Sequence, residues 1–366
     1  MNSPKLFETV LCAIFVLPTI VAAAPTQNGP AIEDLMTGNE EGSLPSLSQA
    51  AVEPSPCADC GQWCCCPRWT ASADFIFLDR VGSFNQSLVE TVPAAEPPSD
   101  PGVEVLNAED LQQGVAGGPR LGLIRHGDNG RDLELSYFQI DGWSDCRSVG
   151  PTPDDWLVMQ APGGFLQTQD HKDTQMMVWN YASRLYNAEL NVRWEACCGV
   201  TMLAGFRWVN LSESLEGTLP PQRVRPFWDN ETQNNLYGFQ IGADAKLFQR
   251  GRFSIDGVVK AGFFGNDVDE TTEVSIYRIP RWESASTTHA ACLSEIELQC
   301  KYQIARGLSL KFGYETIWLQ GVALAPAQIP ETISHIIPPV SVQAIGVDSG
   351  CGVFYHGATA GLEYVF

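Results

Sequence analysis

Past residue 23 the chain has no apolar run of eighteen or more residues, so no later segment crosses a bilayer as a helix. Basic residues are scarce: 22 Lys and Arg stand against 43 Asp and Glu, a formal charge of -21. That balance excludes general nucleic-acid affinity and disfavours anionic surfaces. There are only 5 histidines, and they are scattered. No glycine run sits in a phosphate-loop frame and no serine sits on a nucleophile elbow, so no catalytic or cofactor-binding residue is expected. Charged residues make up 18% and hydrophobic residues 44% of the chain. Without long runs, those apolar residues must be dispersed, as strand alternation requires.

Lys and Arg are missing altogether from Pro25 to Pro56, a stretch rich in Pro, Ser, Gly and acids that reads as a disordered leader. Ahead of it, Lys5 precedes an apolar run from Val10 to Ala23 that ends in small residues. This is the pattern of a secretory signal peptide. Cys12, inside that run, lacks the preceding small residues of a lipid-anchoring cysteine. The expected organisation is a signal peptide at 1–23, an acidic leader ending in cysteines at 24–67, and one folded domain at 68–366. Export permits disulfides. Cys57, Cys60, Cys64, Cys65 and Cys66 have CxxC spacing, but no second spaced pair follows, since Cys197 and Cys198 are adjacent. Disulfides among these seven are therefore expected rather than a metal site. Of 12 cysteines, Cys12 falls in the signal segment, and the odd remainder leaves one thiol free or shared with another chain.

What the chain has is alternation. From Tyr355 to Phe366, His356, Ala358, Ala360, Leu362, Tyr364 and Phe366 alternate with small and polar residues, giving a strand with one apolar face. A terminal strand of this kind resembles the assembly signal of outer-membrane barrels, with Leu362, Tyr364 and Phe366 as its recognised residues. Nine similar segments precede it: 68–78, 120–125, 133–141, 183–196, 200–209, 236–248, 253–264, 292–302 and 308–318. Most have about ten residues, the span of a tilted transmembrane strand. Their connections alternate strictly. Short ones, such as His126-Gly-Asp-Asn-Gly-Arg131 and Gln249-Arg-Gly-Arg252, have tight-turn composition. Long ones begin near Asp79, Gly142, Asn210, Gly265 and Leu319. Long outer loops and short periplasmic turns are the signature of an antiparallel up-and-down transmembrane β-barrel. The expected fold is all-β with about ten strands, or twelve if a long loop hides a hairpin.

Period two also sorts the faces. In 236–248, Tyr237, Phe239, Ile241, Ala243, Ala245 and Leu247 share one side, and Gly238, Gln240, Gly242, Asp244 and Lys246 the other. The apolar side would meet lipid and the charged side the lumen. Inward acids are then Asp74, Glu134, Glu189, Glu195, Asp244, Asp256, Glu295, Glu297, Glu315 and Glu363. Inward bases are Arg120, Arg193, Arg207, Lys246, Lys260, Lys301 and Lys311. Lys246 and Lys260 are expected to pair with acids such as Asp244 and Asp256. Aromatics near strand ends (Trp69, Phe77, Tyr137, Trp194, Trp208, Phe248, Phe264, Tyr302, Trp318) suit interfacial girdles.

Six stretches taken in order carry a resemblance. They are Cys66-Pro-Arg-Trp-Thr-Ala-Ser-Ala-Asp74, Ser183-Arg-Leu-Tyr-Asn-Ala-Glu-Leu-Asn191, Leu203-Ala-Gly-Phe-Arg-Trp-Val-Asn-Leu211, Leu236-Tyr-Gly-Phe-Gln-Ile-Gly-Ala-Asp244, Gly251-Arg-Phe-Ser-Ile-Asp256 and Leu324-Ala-Pro-Ala-Gln-Ile329. From about Cys57 to Phe366 the chain resembles the seventh of the numbered beta-barrel porin families, found in planctomycete bacteria. The resemblance implies an outer-membrane β-barrel and brings no functional residues with it. The long acidic leader and the Pro- and charge-rich loop at 212–233 depart from the family pattern.

The expected function is a porin-like or structural barrel in a bacterial outer membrane, at most a narrow passive pore for small solutes, and not an enzyme. Its expected partners are outer-membrane lipid and the barrel assembly machinery, with no nucleic acid; the sequence leaves the oligomeric state open. One alternative is an outer-membrane protease-like barrel, with Asp267, Asp269 and His289 near the outer rim. The other is a soluble exported β-sheet protein that binds a ligand.

Overall fold

The structure, a computed structural model, describes residues 68–82, 84–93, 102–111, 113–150, 155–159, 174, 176–197, 199–220, 226–276, 279–330 and 347–366. The signal peptide and leader expected at 1–67, with their cysteines, lie outside the described residues. The strands are β1 (Trp69–Val81), β2 (Ser87–Pro93), β3 (Val103–Asn107), β4 (Val115–Arg125), β5 (Arg131–Val149), β6 (Asp155–Val158), β7 (Met177–Cys197), β8 (Val200–Thr218), β9 (Trp228–Arg250), β10 (Phe253–Ile276), β11 (Ile279–Ala305), β12 (Leu308–Val322) and β13 (Cys351–Val365). Ten of them close an antiparallel barrel in the order β1-β4-β5-β7-β8-β9-β10-β11-β12-β13, and β13 returns to β1. The closing register runs from Thr70 opposite Val365 to Val81 opposite Phe354. The ten alternating segments of the sequence are these ten strands. Among the described residues no helix is long and apolar enough to cross a membrane.

Tight turns join the strands at one end. Gly130, Gly199, Gly251 and Gly307 occupy them, each with φ between 60° and 78°. That backbone conformation is nearly free for glycine and strained for other residues. At the opposite end the first and second long connections contribute a small separate sheet, β3-β2-β6.

Two expected long loops are largely strand. β8 continues to Thr218 and β9 starts at Trp228, while β10 and β11 run as one hairpin to Ile276 and from Ile279. The cause is a change of phase. Between the turns and mid-strand, the apolar residues point outward: Phe206, Phe239, Ile241, Phe263 and Ile296 are exposed. Nearer the long loops they point inward, where Val209, Leu211, Leu215, Leu236 and Val268 are buried. The outer face there carries Ser212, Ser214, Gln233, Glu231, Asp267 and Asp269. The lower barrel is thus built for lipid and the upper barrel for water. Phe264, expected in a girdle, is one of the residues that turn inward, and it is 5% exposed.

Ile241 is 66% exposed and its neighbour Gln240 is 2% exposed, so the register of β9 is unambiguous. Ile241→Arg should cost about 2–4 kcal/mol of barrel stability in a bilayer. Unfolding in lipid vesicles by urea titration checks this. An unchanged midpoint would place Ile241 outside the apolar belt.

Candidate functional site: the barrel interior

The interior is stacked in layers. At the short-turn mouth lies a cavity of about 390 Å³ whose lining includes Asp244, Lys246, Arg252, Asp256, Lys301 and Glu363. Lys301 reaches Asp256 at 3.2 Å and Glu363 at 3.1 Å. Arg193 joins Glu134 at 3.1 Å and Asp244 at 2.7 Å.

The next layer is dense. Lys260 lies 3.0 Å from Glu189 and 2.9 Å from Glu295. Arg207 contacts Glu295 at 2.7 Å and Glu189 at 3.6 Å, and its Nε donates to Asn187 Oδ1 at 2.6 Å. Gln240 Nε2 donates to Glu189 Oε2 and Asn191 Oδ1 at 2.7 and 2.8 Å. On the far wall Arg120 bridges Glu315 and Glu297, and Lys311 holds Asp74 at 2.9 Å. Buried charge is tolerated where an opposite charge neutralises it, and each charge named in this layer has such a partner.

The structure therefore turns Asp74, Arg120, Glu134, Glu189, Arg193, Asp244, Asp256, Lys260, Glu295, Glu297, Lys311 and Glu315 inward, but their partners differ from the expected ones. Lys246 is exposed at the mouth and has no ion pair among the described residues, although it stands opposite Asp256 in the register. A bulge between Ile255 and Asp256 interrupts the ladder there. Asp244 takes Arg193 instead, Asp256 takes Lys301, and Lys260 takes two glutamates. Gln240 is buried inside this network, at 2% exposure. An arginine there would meet Arg207, whose Nη1 already lies 3.3 Å from Gln240 Oε1. Gln240→Arg should lower stability as clearly as Ile241→Arg, through like-charge crowding in a buried layer. A midpoint matching the unmodified protein would show that water fills this layer.

Above the charges, sequence reasoning missed an apolar seal. Ile76, Ala116, Phe138, Leu185, Val209, Leu236, Phe264, Leu293, Ile317 and Val353 belong to one buried cluster, and each comes from a different barrel strand. Trp143 joins them. The bulge at Gly142 (φ 119°) precedes it, and its indole donates to Leu78 O at 3.0 Å. A second cluster higher up packs Leu88 and Leu106 from the small sheet against Trp179, Leu215 and Trp228 of the wall.

Residues 323–329, at the start of the last long connection, are buried in this region. Asn234 exchanges two side-chain hydrogen bonds with the backbone of Ala323, both 2.8 Å. Glu213 accepts from Ala325 N–H at 3.1 Å and from Tyr181 Oη at 2.7 Å, and it pairs with Arg80.

The remaining candidates divide. Asp267 accepts from Thr288 Oγ1 at 3.0 Å and lies with Asp269 on the outer face, whereas His289 stands opposite the inward Asn266. The structure does not bring these three together. Cys197 is an exposed free thiol. Cys198 and Cys57, Cys60, Cys64, Cys65 and Cys66 lie outside the described residues. In the terminal strand, Leu362, Tyr364 and Phe366 face outward, and Tyr364 stacks on Phe366 at 5.5 Å.

No family model matches the chain, and no curated protein matches it. Solved outer-membrane barrels do. The outer membrane protease OmpT of Escherichia coli aligns at a TM-score of 0.43 and 10% identity, over 82% of this chain and 97% of that one. A major outer membrane protein of Thermus thermophilus gives 0.31 and 10%, over 81% and 99%. The Pseudomonas putida toluene transporter TodX gives 0.30 and 9%, over 82% and 90%. At such identities and scores these likenesses transfer no activity, and the fold rests on the strand pairing of the chain itself: a closed ten-stranded antiparallel barrel of outer-membrane type.

Proposed function

We propose that this chain is a structural or gated barrel of a bacterial outer membrane, with its short turns in the periplasm and its bore closed in the state described. The observation that carries this reading is the apolar layer to which all ten wall strands contribute. A ring of ten strands encloses little more than its own side chains. Here those side chains are buried and apolar above a paired charge network, a layer that opposes a continuous hydrated path. The exposed belt of Phe75, Leu190, Phe239, Ile241, Phe312 and Tyr314 is the lipid-facing surface the reading requires. The ordered stretches resembling the planctomycete porin family support the same location. The outward stack of Tyr364 and Phe366 suits recognition by assembly machinery.

Two measurements test this. The protein should fractionate with outer membranes and migrate differently on gels before and after heating; recovery from the soluble periplasm would overturn the location. In planar bilayers the unmodified protein should show no stable conductance. A large, steady conductance would overturn the closed bore and make the chain an open porin.

A further inference from the structure

Apart from the charge network, one hydroxyl, one imidazole and one carboxylate sit in line at the short-turn mouth. Thr70 is near the rim end of β1, next to Trp69, whose backbone bonds Phe366. His126 and Asp132 flank the turn between β4 and β5. Thr70 Oγ1 lies 2.8 Å from His126 Nε2, and His126 Nδ1 lies 2.8 Å from Asp132 Oδ2. Gly127 N–H donates to the other carboxylate oxygen at 3.1 Å. A carboxylate can only accept, so Nδ1 carries the proton of the neutral ring. Nε2 is then the acceptor, and the Thr70 hydroxyl must be the donor. This order of groups activates a hydroxyl: nucleophile, base, and a carboxylate that fixes the tautomer. Holding the turn does not require it, because His126 N–H already donates to Arg68 O at 2.9 Å.

We propose that Thr70 is a nucleophile toward small carboxylic esters, with His126 as its general base and Asp132 as the residue that positions the ring. Thr70 Oγ1 adds to the ester carbonyl carbon while its proton passes to His126 Nε2. The carbon–oxygen bond to the leaving alcohol then breaks, and that oxygen takes the proton from Nε2. Water, deprotonated by the same nitrogen, releases the acyl group and restores the hydroxyl. Thr70 is 9% exposed, and the side chains of His126 and Asp132 are 33% and 29% exposed. The base is thus open to solvent and the nucleophile recessed, which selects short acyl groups. This activity rests on the proposed function only for the compartment that supplies the ester, the periplasm. The chemistry can be read in detergent, where orientation plays no part.

The test uses the folded full chain in detergent, with a small alkyl fluorophosphonate and p-nitrophenyl acetate as probes. One adduct should map to Thr70, with loss of fluoride, and acetate release should exceed the buffer rate. Thr70→Ala should abolish both signals and Thr70→Ser should keep both. His126→Ala should slow labelling by about 10²–10⁴-fold. Asp132→Asn should lower kcat at unchanged KM, as expected of a positioning residue. Each variant is first shown to keep heat-modifiable migration, and a variant that fails is set aside, because labelling of the unmodified protein and of Thr70→Ser decides alone. No adduct on Thr70 in the folded unmodified protein, or ester release by Thr70→Ala at the unmodified rate, would overturn the proposal.

Discussion

Arg207→Ala will destabilise the barrel by about 3–5 kcal/mol, the usual cost of stranding buried charge by removing one partner. Arg207 is 1% exposed, and its partners Glu189 and Glu295 are each 3% exposed. Without it, Lys260 alone faces two carboxylates, and Asn187 Oδ1 loses its donor. The measure is the urea midpoint of the folded band on unheated gels. Arg207→Met combined with Glu295→Met should recover most of the loss, because Glu189 keeps Lys260 and nothing charged is left unpaired. If the single alanine variant unfolds at the unmodified midpoint, water reaches this layer and the network contributes little.

Removing Glu213 should have a comparable energetic effect and a functional one as well. Arg80 and Glu213 are 2% and 0% exposed, so Glu213→Ala strands a buried guanidinium at a cost of about 3–5 kcal/mol. It also takes the acceptor from Ala325 N–H, one of the bonds that hold residues 323–325 against the barrel wall. With Asn234→Ala added, residues 323–325 lose the bonds that both of these wall side chains make to their backbone. The double variant should show channel openings in planar bilayers where the unmodified protein shows none. If it stays silent while still folded, the ten-strand apolar layer closes the bore unaided and the segment is no gate.

The ten strands were legible because, across the lipid belt, outward apolar residues alternate with small or charged ones. Their upper ends were not. Where the phase inverts, an outward aromatic stands beside an inward aliphatic residue, as in Phe75-Ile76-Phe77-Leu78, or beside an inward aromatic, as in Phe263-Phe264, and the alternation disappears from the sequence. Such a place reads as the end of a strand although the backbone continues. Parity also gave the side of each charge but not its partner. Arg120 meets Glu297 and Glu315 from β11 and β12, strands it does not pair with, so only closure of the ring brings them together. Thr70 and His126 are hidden in the same way: they lie on adjacent strands joined through a long excursion, and only His126 and Asp132 are near neighbours in sequence.

The seam between β1 and β13 also dictates how this chain reaches its native state. Every other backbone pairing in the wall links strands consecutive around the ring in chain order, and most of these are hairpins that can zip locally within microseconds. The seam alone joins Thr70 to Val365, the most distant pairing in the molecule. Its loop-closure entropy must be met before any of its hydrogen bonds form, so it closes last and slowly. Until then the sheet has two bare edges, and either can capture a strand from another chain. Folding of this barrel is therefore a race between one intramolecular closure and many intermolecular ones, and dilution or a partner that occupies the open edges favours the ring.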